Sequence, residues 1–403
     1  MKYIYVILFF VFAINISYSQ SSGGIMFRDS VYVNYLVTPG VIYGSNTNYH
    51  DSNEVLTMDI YEPETAPAIK RPLIIFIHGG GFTSGNETYL AFMCADFTER
   101  GYITATINYR IGVPFKSDSV QFGEAVYRAV QDARAAERYL RANATEYCID
   151  TNFIFMGGTS AGTITALEAA WWQQSEVPSY IDTTVMGSLD HADNNLNFKS
   201  RVKGVINCWG AVTDSAIISN NPSVSVISFV GDSDKTIPPY EGYINTNDSE
   251  VNVIVYGSYF IDKKLQQLGA LHQLKIFDGV GHGLGIVDPR WDTIINMSSN
   301  FLYDKFFQSY TPAVCRNEDL LITTPTVKAN ENEIQIQNNE AVTVLETKFY
   351  NLWGQHILNI TYPILPEQTL NYPINKWASG IYIANFILTN GTVQTEKFVL
   401  ITH

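Results

Sequence analysis

The chain has 403 residues, enough for two or three domains that each bury a hydrophobic core without disulfide staples. Apolar residues make up 46%, aromatics 13% and charged residues only 16%, which excludes a disordered chain or a coiled coil. With 25 Lys and Arg against 39 Asp and Glu the net charge is -14, a balance that repels phosphate backbones and anionic lipid and argues against nucleic-acid binding.

Residues 1–19 read as a secretory signal: Lys2 supplies the positive start, 4–14 form an apolar run, and Ser17-Tyr18-Ser19 places small residues before a cut at Gln20. That run is too short for a bilayer, which needs about 20 residues, and no other segment approaches a transmembrane helix. No integral membrane segment is expected in the mature chain.

From about residue 31 to 310, strand-like runs alternate with helix-like stretches. Leu56, Met58 and Ile60 alternate with Thr57, Asp59 and Tyr61, which predicts a strand with one buried face. Residues 73–77, 103–107, 153–156, 202–206, 226–230 and 274–277 are short continuous apolar or β-branched runs, predicting strands covered on both faces. Val126, Ala129, Val130, Ala133, Ala136 and Leu140 recur at spacings of three and four, predicting an amphipathic helix against a sheet. The fold class is therefore α/β, a mostly parallel sheet with helices on both faces.

After Phe307 the periodicity is lost through about residue 328, a stretch holding Pro312 and Pro325. This places a linker at 313–328, between a large domain at 20–312 and a second module at 329–403. The module has short alternating segments separated by turn signals at Asn351-Leu352-Trp353-Gly354, Ser379-Gly380 and Asn390-Gly391. The last predicts a hairpin with a type I′ turn between 382–388 and 393–401, and the module reads as small and all-β.

Cys94, Cys148, Cys208 and Cys315 could form no, one or two disulfides, and four cysteines allow three pairings. Cys208 lies in an apolar run and is expected to be a buried small hydrophobe; Cys94 with Cys148 is the expected disulfide. None shows a C-x-x-C or Cys/His spacing, so zinc ligation has no basis.

Gly158-Thr159-Ser160-Ala161-Gly162 fits G-x-S-x-G, in which glycines permit a turn tight enough to expose a serine hydroxyl above the sheet. The motif alone is weak; the buried strand before it and the helix after it, whose N-terminus favours negative charge, raise its weight. His78-Gly79-Gly80-Gly81-Phe82 directly follows another strand, and its uncovered N–H groups suit an oxyanion. Gly80, Gly81 and Ala161 are the expected donors. A flexible glycine loop is the bland alternative, and His78 is expected to be a structural hydrogen-bonder.

A serine needs a base, and the base a carboxylate that fixes its tautomer. In the order Ser, acid, His, Asp234 follows one predicted strand and leads into the Ile237-Pro238 turn, with Asp232 and Asp214 as alternatives. His282, flanked by Gly281 and Gly283, follows the next, and His272 is the weaker candidate. Both segments lie at carboxyl ends of strands, where open α/β sheets place their sites.

Residues 56–63, His78-Gly79-Gly80-Gly81-Phe82, Asn108-Tyr109-Arg110, Gly158-Thr159-Ser160-Ala161-Gly162, the Asp234 segment and His282 together resemble the α/β-hydrolase carboxylesterases of the hormone-sensitive-lipase and type-B kind. The resemblance covers about residues 31–308. It implies Ser160 as nucleophile, Asp234 as acid, His282 as base, and Gly80, Gly81 and Ala161 as the oxyanion hole. It departs in lacking an N-terminal helical cap; residues 172–201 either cover the pocket instead or form a surface excursion. Asp132, Arg134 and Arg110 look like ion-pair partners, and one of Trp171 and Trp172 is expected in the core.

The C-terminal module resembles the type IX secretion sorting domain of Bacteroidota at 349–355, 377–384 and 397–401, which implies a small all-β sandwich, although the usual Pro-Asn-Pro entry is missing. It implies a secreted or surface-attached protein that engages the type IX machinery, so the Asn-x-Ser/Thr sites at Asn86, Asn143 and Asn247 carry little meaning. The expected function is a secreted serine carboxylester hydrolase acting on acetyl or feruloyl esters of plant polysaccharide. Alternatives are a short-chain lipid esterase, a serine exopeptidase and a non-catalytic cholinesterase-like adhesion module. No cofactor, metal or nucleic acid is expected.

Overall fold

The computed structural model describes residues 24–64, 66–112, 118–245, 252–315, 325–330, 332–338, 343–366, 368–374, 377–389 and 393–400. The signal at 1–19, most of the expected linker and the Asn390-Gly391 turn lie outside them. The chain divides into two compact units, Met1–Cys315 and Arg316–His403.

The first unit runs β1 (Tyr35–Thr47), β2 (Asn53–Pro63), β3 (Arg71–Ile77), α1 (Ala91–Glu99), β4 (Ile103–Ile107), α2 (Ser119–Ala142), β5 (Ile149–Thr159), α3 (Ala161–Trp171), α4 (Thr183–Met186) and β6 (Gly204–Cys208). It continues with β7 (Ala211–Val212), β8 (Ser225–Gly231), β9 (Glu241–Tyr243), β10 (Ile254–Gly257), α5 (Ser258–Gln267), β11 (His272–Phe277) and α6 (Arg290–Leu302). Eight strands form one sheet in the order β1-β2-β4-β3-β5-β6-β8-β11, and β7, β10 and β9 form a small side sheet. The pairings β1 to β2 and β2 to β4 are antiparallel, and the others in the large sheet are parallel.

Burial on both faces explains the continuous apolar runs of β3, β4, β6 and β8, whereas the run at 274–277, expected to be covered on both faces, lies in β11, which is half-buried because it forms the sheet edge. In β3, Leu73, Ile75 and Ile77 join a core with Val126, Ala129, Val130 and Ala133 of α2 and Ile164 and Leu167 of α3. Ile74 and Phe76 point the other way, into a core with Met93 and Phe97 of α1 and Ile294 and Phe301 of α6. Helix α2 starts where Asp118 and Gln121 form a capping box: Asp118 Oδ1 accepts the Gln121 N–H (2.9 Å), and Gln121 Oε1 accepts the Asp118 N–H (3.2 Å).

The disulfide corrects the expected pairing. Cys148 bonds Cys315, while Cys94 lies fully buried on α1 against the sheet and Cys208 is buried as expected. The chain after α6 returns to pair with the segment before β3: Ile69 bridges Val314, the Lys70 N–H donates to Ala313 O (2.7 Å), and the Cys315 N–H to Ala68 O (2.9 Å). That return brings Cys315 to Cys148, which stands just ahead of β5. Closing a 167-residue loop is worth about 5 kcal/mol in a chain-entropy account and about 2–4 kcal/mol in typical measurements.

The second unit is all β: β12 (Thr326–Ala329), β13 (Glu333–Gln337), β14 (Val344–Asn351), β15 (His356–Ile360), β16 (Thr369–Pro373), β17 (Gly380–Leu388) and β18 (Val393–Leu400). Sheets β12-β13-β16 and β15-β14-β17-β18 are antiparallel and share one core. It holds Ile334 and Ile336 from one sheet and Phe349, Ala384, Phe386 and Leu400 from the other. Every second residue of β17 is buried, the pattern of a sheet with one covered face. Among the described residues, no helix is long and apolar enough to cross a membrane.

Candidate active site

The parallel strands β3, β5, β8 and β11 all end at one edge of the sheet, and the residues singled out by the sequence follow them there. Ser160 caps α3 directly after β5 with φ 52° and ψ -122°, a left-handed conformation that L residues rarely adopt. The turn depends on close backbone approach: a Cβ on Gly162 would lie 2.0 Å from Ile77 O. The Ser160 N–H donates to Cys208 O at the end of β6 (3.0 Å), so the elbow hangs from the neighbouring strand.

The Ser160 hydroxyl lies 2.8 Å from His282 Nε2, and His282 Nδ1 lies 2.7 Å from Asp234 Oδ2. The Asp234 carboxylate is buried, and its other oxygen accepts the N–H groups of Thr236 (2.9 Å) and Ile237 (3.0 Å). Those two bonds leave Oδ2 aimed at the imidazole. Asp232 has a different task, accepting the Gly279 N–H (2.8 Å), while the Ser233 N–H donates to Val280 O (3.0 Å); together they tie the Asp234 loop to the His282 loop. Asp214 caps the turn of 3-10 helix at Ser215–Asn220, and His272 pairs with Asp262 (2.7 Å). Of the alternatives, none faces Ser160 in a hydrogen bond among the described residues.

The glycine loop stands beside the elbow, held by the Gly79 N–H donating to the Thr159 hydroxyl (3.1 Å). Gly80 has φ 114°, and a Cβ there would lie 2.0 Å from Ser84 O, so no other residue fits. Among the described residues no acceptor is found for the N–H groups of Gly80, Gly81 and Ala161. His78 is structural: it is buried, its Nδ1 lies 2.7 Å from Gly79 O, it stacks on Tyr109 (4.4 Å), and burial lowers its pKa.

A cleft of about 430 Å³ opens over Ser160 and His282, with Gly80 and Gly81 in its lining. The rest of the lining is largely aromatic and aliphatic, including Tyr89, Phe92, Trp209, Leu284 and Trp291. The sequence reading missed these side chains, because an aromatic after a buried strand, as in Cys208-Trp209-Gly210, reads as core. Trp171 and Trp172 are both buried, where one was expected.

The 172–201 segment does not enter the lining of that cleft. It is clamped to α2: Gln131 Nε2 donates to Met186 O (2.8 Å), Arg138 Nε to Asn194 Oδ1 (3.1 Å), and Arg134 Nη1 to Asp190 Oδ1 (3.0 Å). Trp172, Glu176, Pro178 and Tyr180 line a separate cavity of about 480 Å³. Nearby, burial raises the Glu168 carboxyl to about 7 while its Oε1 accepts the Thr213 N–H and hydroxyl (2.7 Å each). The expected ion pairs are present, with Arg110 held between Asp132 and Asp193.

Among the described residues no cluster of three or more His, Cys, Asp or Glu could hold a metal ion. Residues 329–401 match the secretion system C-terminal sorting domain. The chain is similar to Gut esterase 1 of Caenorhabditis briggsae, 30% identical over 116 residues, 28% of this chain and 20% of that protein. It is also similar to chlorogenic acid esterase of Aspergillus niger, 28% identical over 166 residues, 38% of this chain and 32% of that protein. The chain therefore spans about a fifth to a third of the length of these relatives. The propionate-bound esterase Est2 of Thermogutta terrifontis superposes with a TM-score of 0.48 at 20% identity, covering 68% of this chain and 96% of that one. Residues 58–266, more than half of the chain, match BD-FAE, and the protein belongs to this family of α/β-hydrolase esterases.

Proposed function

We propose that the protein is a secreted serine carboxylester hydrolase with Ser160 as nucleophile, His282 as base and Asp234 as acid. The observation that carries this reading is the unbroken relay from Ser160 to His282 (2.8 Å) to Asp234 (2.7 Å) beside three unclaimed backbone N–H groups. Ser160 Oγ attacks the ester carbonyl as His282 Nε2 takes its proton. Asp234 keeps the Nδ1 proton in place and stabilises the imidazolium. The carbonyl oxygen, now negative, is received by the N–H groups of Gly80, Gly81 and Ala161 at the start of α3. His282 then protonates the leaving alcohol, and water repeats the sequence on the acyl-enzyme.

The substrates we assign are acetyl or feruloyl esters of plant polysaccharide. The family match, a relative named for hydrolysing chlorogenic acid, and the aromatic lining of the cleft support this class. The sorting-domain match supports a secreted or outer-surface location, reached through the signal at 1–19 and the type IX machinery.

The test is hydrolysis by the full chain of p-nitrophenyl acetate through octanoate and of methyl ferulate, with Ser160→Ala in parallel. Turnover that disappears in the variant is expected, strongest for acetate and ferulate. Equal turnover by the variant would remove Ser160 as the nucleophile, and a preference for butyrate or hexanoate over acetate and ferulate would replace the polysaccharide-ester reading with a short-chain lipid esterase.

A further inference from the structure

Trp209 occupies a position that a bulky side chain rarely tolerates. It follows β6 with φ 48°, where Cβ crowds the backbone. Such a conformation persists only where the surroundings over-determine it. Here they do. The Trp209 N–H donates to Phe229 O (2.7 Å), and the Gly210 N–H to Asn207 Oδ1 (2.9 Å). Fully buried Asn207 donates in turn to the hydroxyls of Ser228 (3.0 Å) and Ser258 (3.1 Å), and the Ser258 hydroxyl donates back to Gly210 O (3.2 Å). This closed network locks the turn one residue after Cys208, whose carbonyl accepts the Ser160 N–H (3.0 Å).

The consequence is an indole placed in the wall of the cleft beside the nucleophile. It meets Trp291 edge-on at 5.4 Å, and Trp291 meets Phe92 at 4.9 Å. Trp291 is itself fixed, its Nε1–H donating to Gly285 O (3.0 Å) on the loop that carries His282. Three rings, from the end of β6, α1 and α6, thus converge next to Ser160. Proton transfer and oxyanion binding are complete without them, and Trp209 and Trp291, 5% and 6% exposed, present only a small part of each ring to the cleft. Ring edges and faces attract another ring.

We propose that Trp209, backed by Trp291 and Phe92, determines specificity by receiving a planar aromatic ring carried on either side of the scissile ester bond. The proposal rests on the Ser160 reading of the site. Its test compares the full-length wild type, Trp209→Ala and Trp209→Phe on methyl ferulate, with the ring on the acyl side, phenyl acetate, with the ring on the alcohol side, and methyl butyrate, with none. The expected result is a loss in kcat/KM of about 10- to 50-fold for one of the two ring-bearing esters in Trp209→Ala, largely restored in Trp209→Phe. Methyl butyrate should change by less than about threefold, since it buries no ring. The ester that suffers identifies the side on which the ring lies.

A uniform loss on all three esters would make Trp209 a structural prop, and undiminished turnover of both ring-bearing esters would make it a bystander; either overturns the proposal. Trp209→Leu, apolar but without a ring, carries the same test if the alanine variant unfolds. Covalent labelling of each protein by a small phosphonofluoridate, read by mass, keeps the two readings apart. A wild type that hydrolyses the esters but is never labelled at Ser160 would sink the catalytic assignment, whereas labelled variants with unchanged substrate ratios would sink only the aromatic wall.

Discussion

Two buried polar clusters in the first unit, each built around Asp carboxylates, serve opposite ends. In the clamp on α2, Arg110 reaches Asp132 (Nε to Oδ1, 2.9 Å) and Asp193 (3.2 Å), while Arg134 donates to Ala169 O (2.9 Å) and Asp190 (3.0 Å). Most of its donors end on a fixed acceptor, and the result is rigidity. At the strand ends, Asp234 and His282 are equally well partnered, but the chain stops short of closing the arrangement. Gly80, Gly81 and Ser160 line a cleft of about 430 Å³, and among the described residues no acceptor is found for the N–H groups of Gly80 and Gly81. Charge satisfied within the protein fixes structure; donors left facing a cleft are available for chemistry.

The largest expected difference between the clusters is kinetic. Asp234→Asn keeps the hydrogen bonds from Thr236 and Ile237 but favours the wrong imidazole tautomer, and should lower kcat on p-nitrophenyl acetate by about 10⁴-fold with little change in unfolding midpoint. Arg110→Met should do the reverse. It leaves the buried Asp132 carboxylate without its cation and should cost about 3–5 kcal/mol in urea unfolding, with turnover per folded molecule nearly unchanged. If that variant instead lost kcat in proportion, the separation of clamp and site would be wrong. Cys315→Ser should cost about 2–4 kcal/mol in the same assay and leave kcat alone, because the disulfide constrains the unfolded chain rather than the site.

The last contrast is in pH. Burial, then the charge of Asp132, pushes the Asp193 carboxyl up from 3.8 to about 8. The folded state then keeps a proton that the unfolded chain has already released, so this group's stabilisation is present in acid and is lost as pH rises from about 4 through about 8. Asp193→Asn should flatten that fall in a series of unfolding curves between pH 5 and about 8.5. An unchanged slope would mean that Asp193 is ionised within the clamp.

Much of the site was legible because its parts are local. Glycines around Ser160 and His282 and the triple glycine after β3 are backbone requirements; the runs before Ser160 and the triple glycine are central strands buried on both faces, while the run before His282 is the half-buried edge strand β11. Asp234 was separable from Asp232 by the turn it leads into, and the structure gives each its own partners. The disulfide was not legible, since Cys315 reaches Cys148 only because 313–315 fold back along 68–70, a return with no periodic signal. Strand β1 escaped for a similar reason. It is mostly exposed at the sheet edge, and its register shifts between Thr38 and Val41, where Pro39-Gly40 sits. Trp209 was hidden by its own composition, since only three-dimensional packing shows that a ring belonging to the core also lines a cleft.

The central claim is that Ser160 is the nucleophile of a relay through His282 to Asp234. Its most direct test is reaction of the full chain with diethyl p-nitrophenyl phosphate followed by peptide mass mapping. The account predicts one diethylphosphoryl group per chain, on Ser160, with loss of esterase activity in step and no labelling of His282→Ala. A fully inhibited enzyme carrying the group on another residue, or active enzyme left unlabelled, would contradict it.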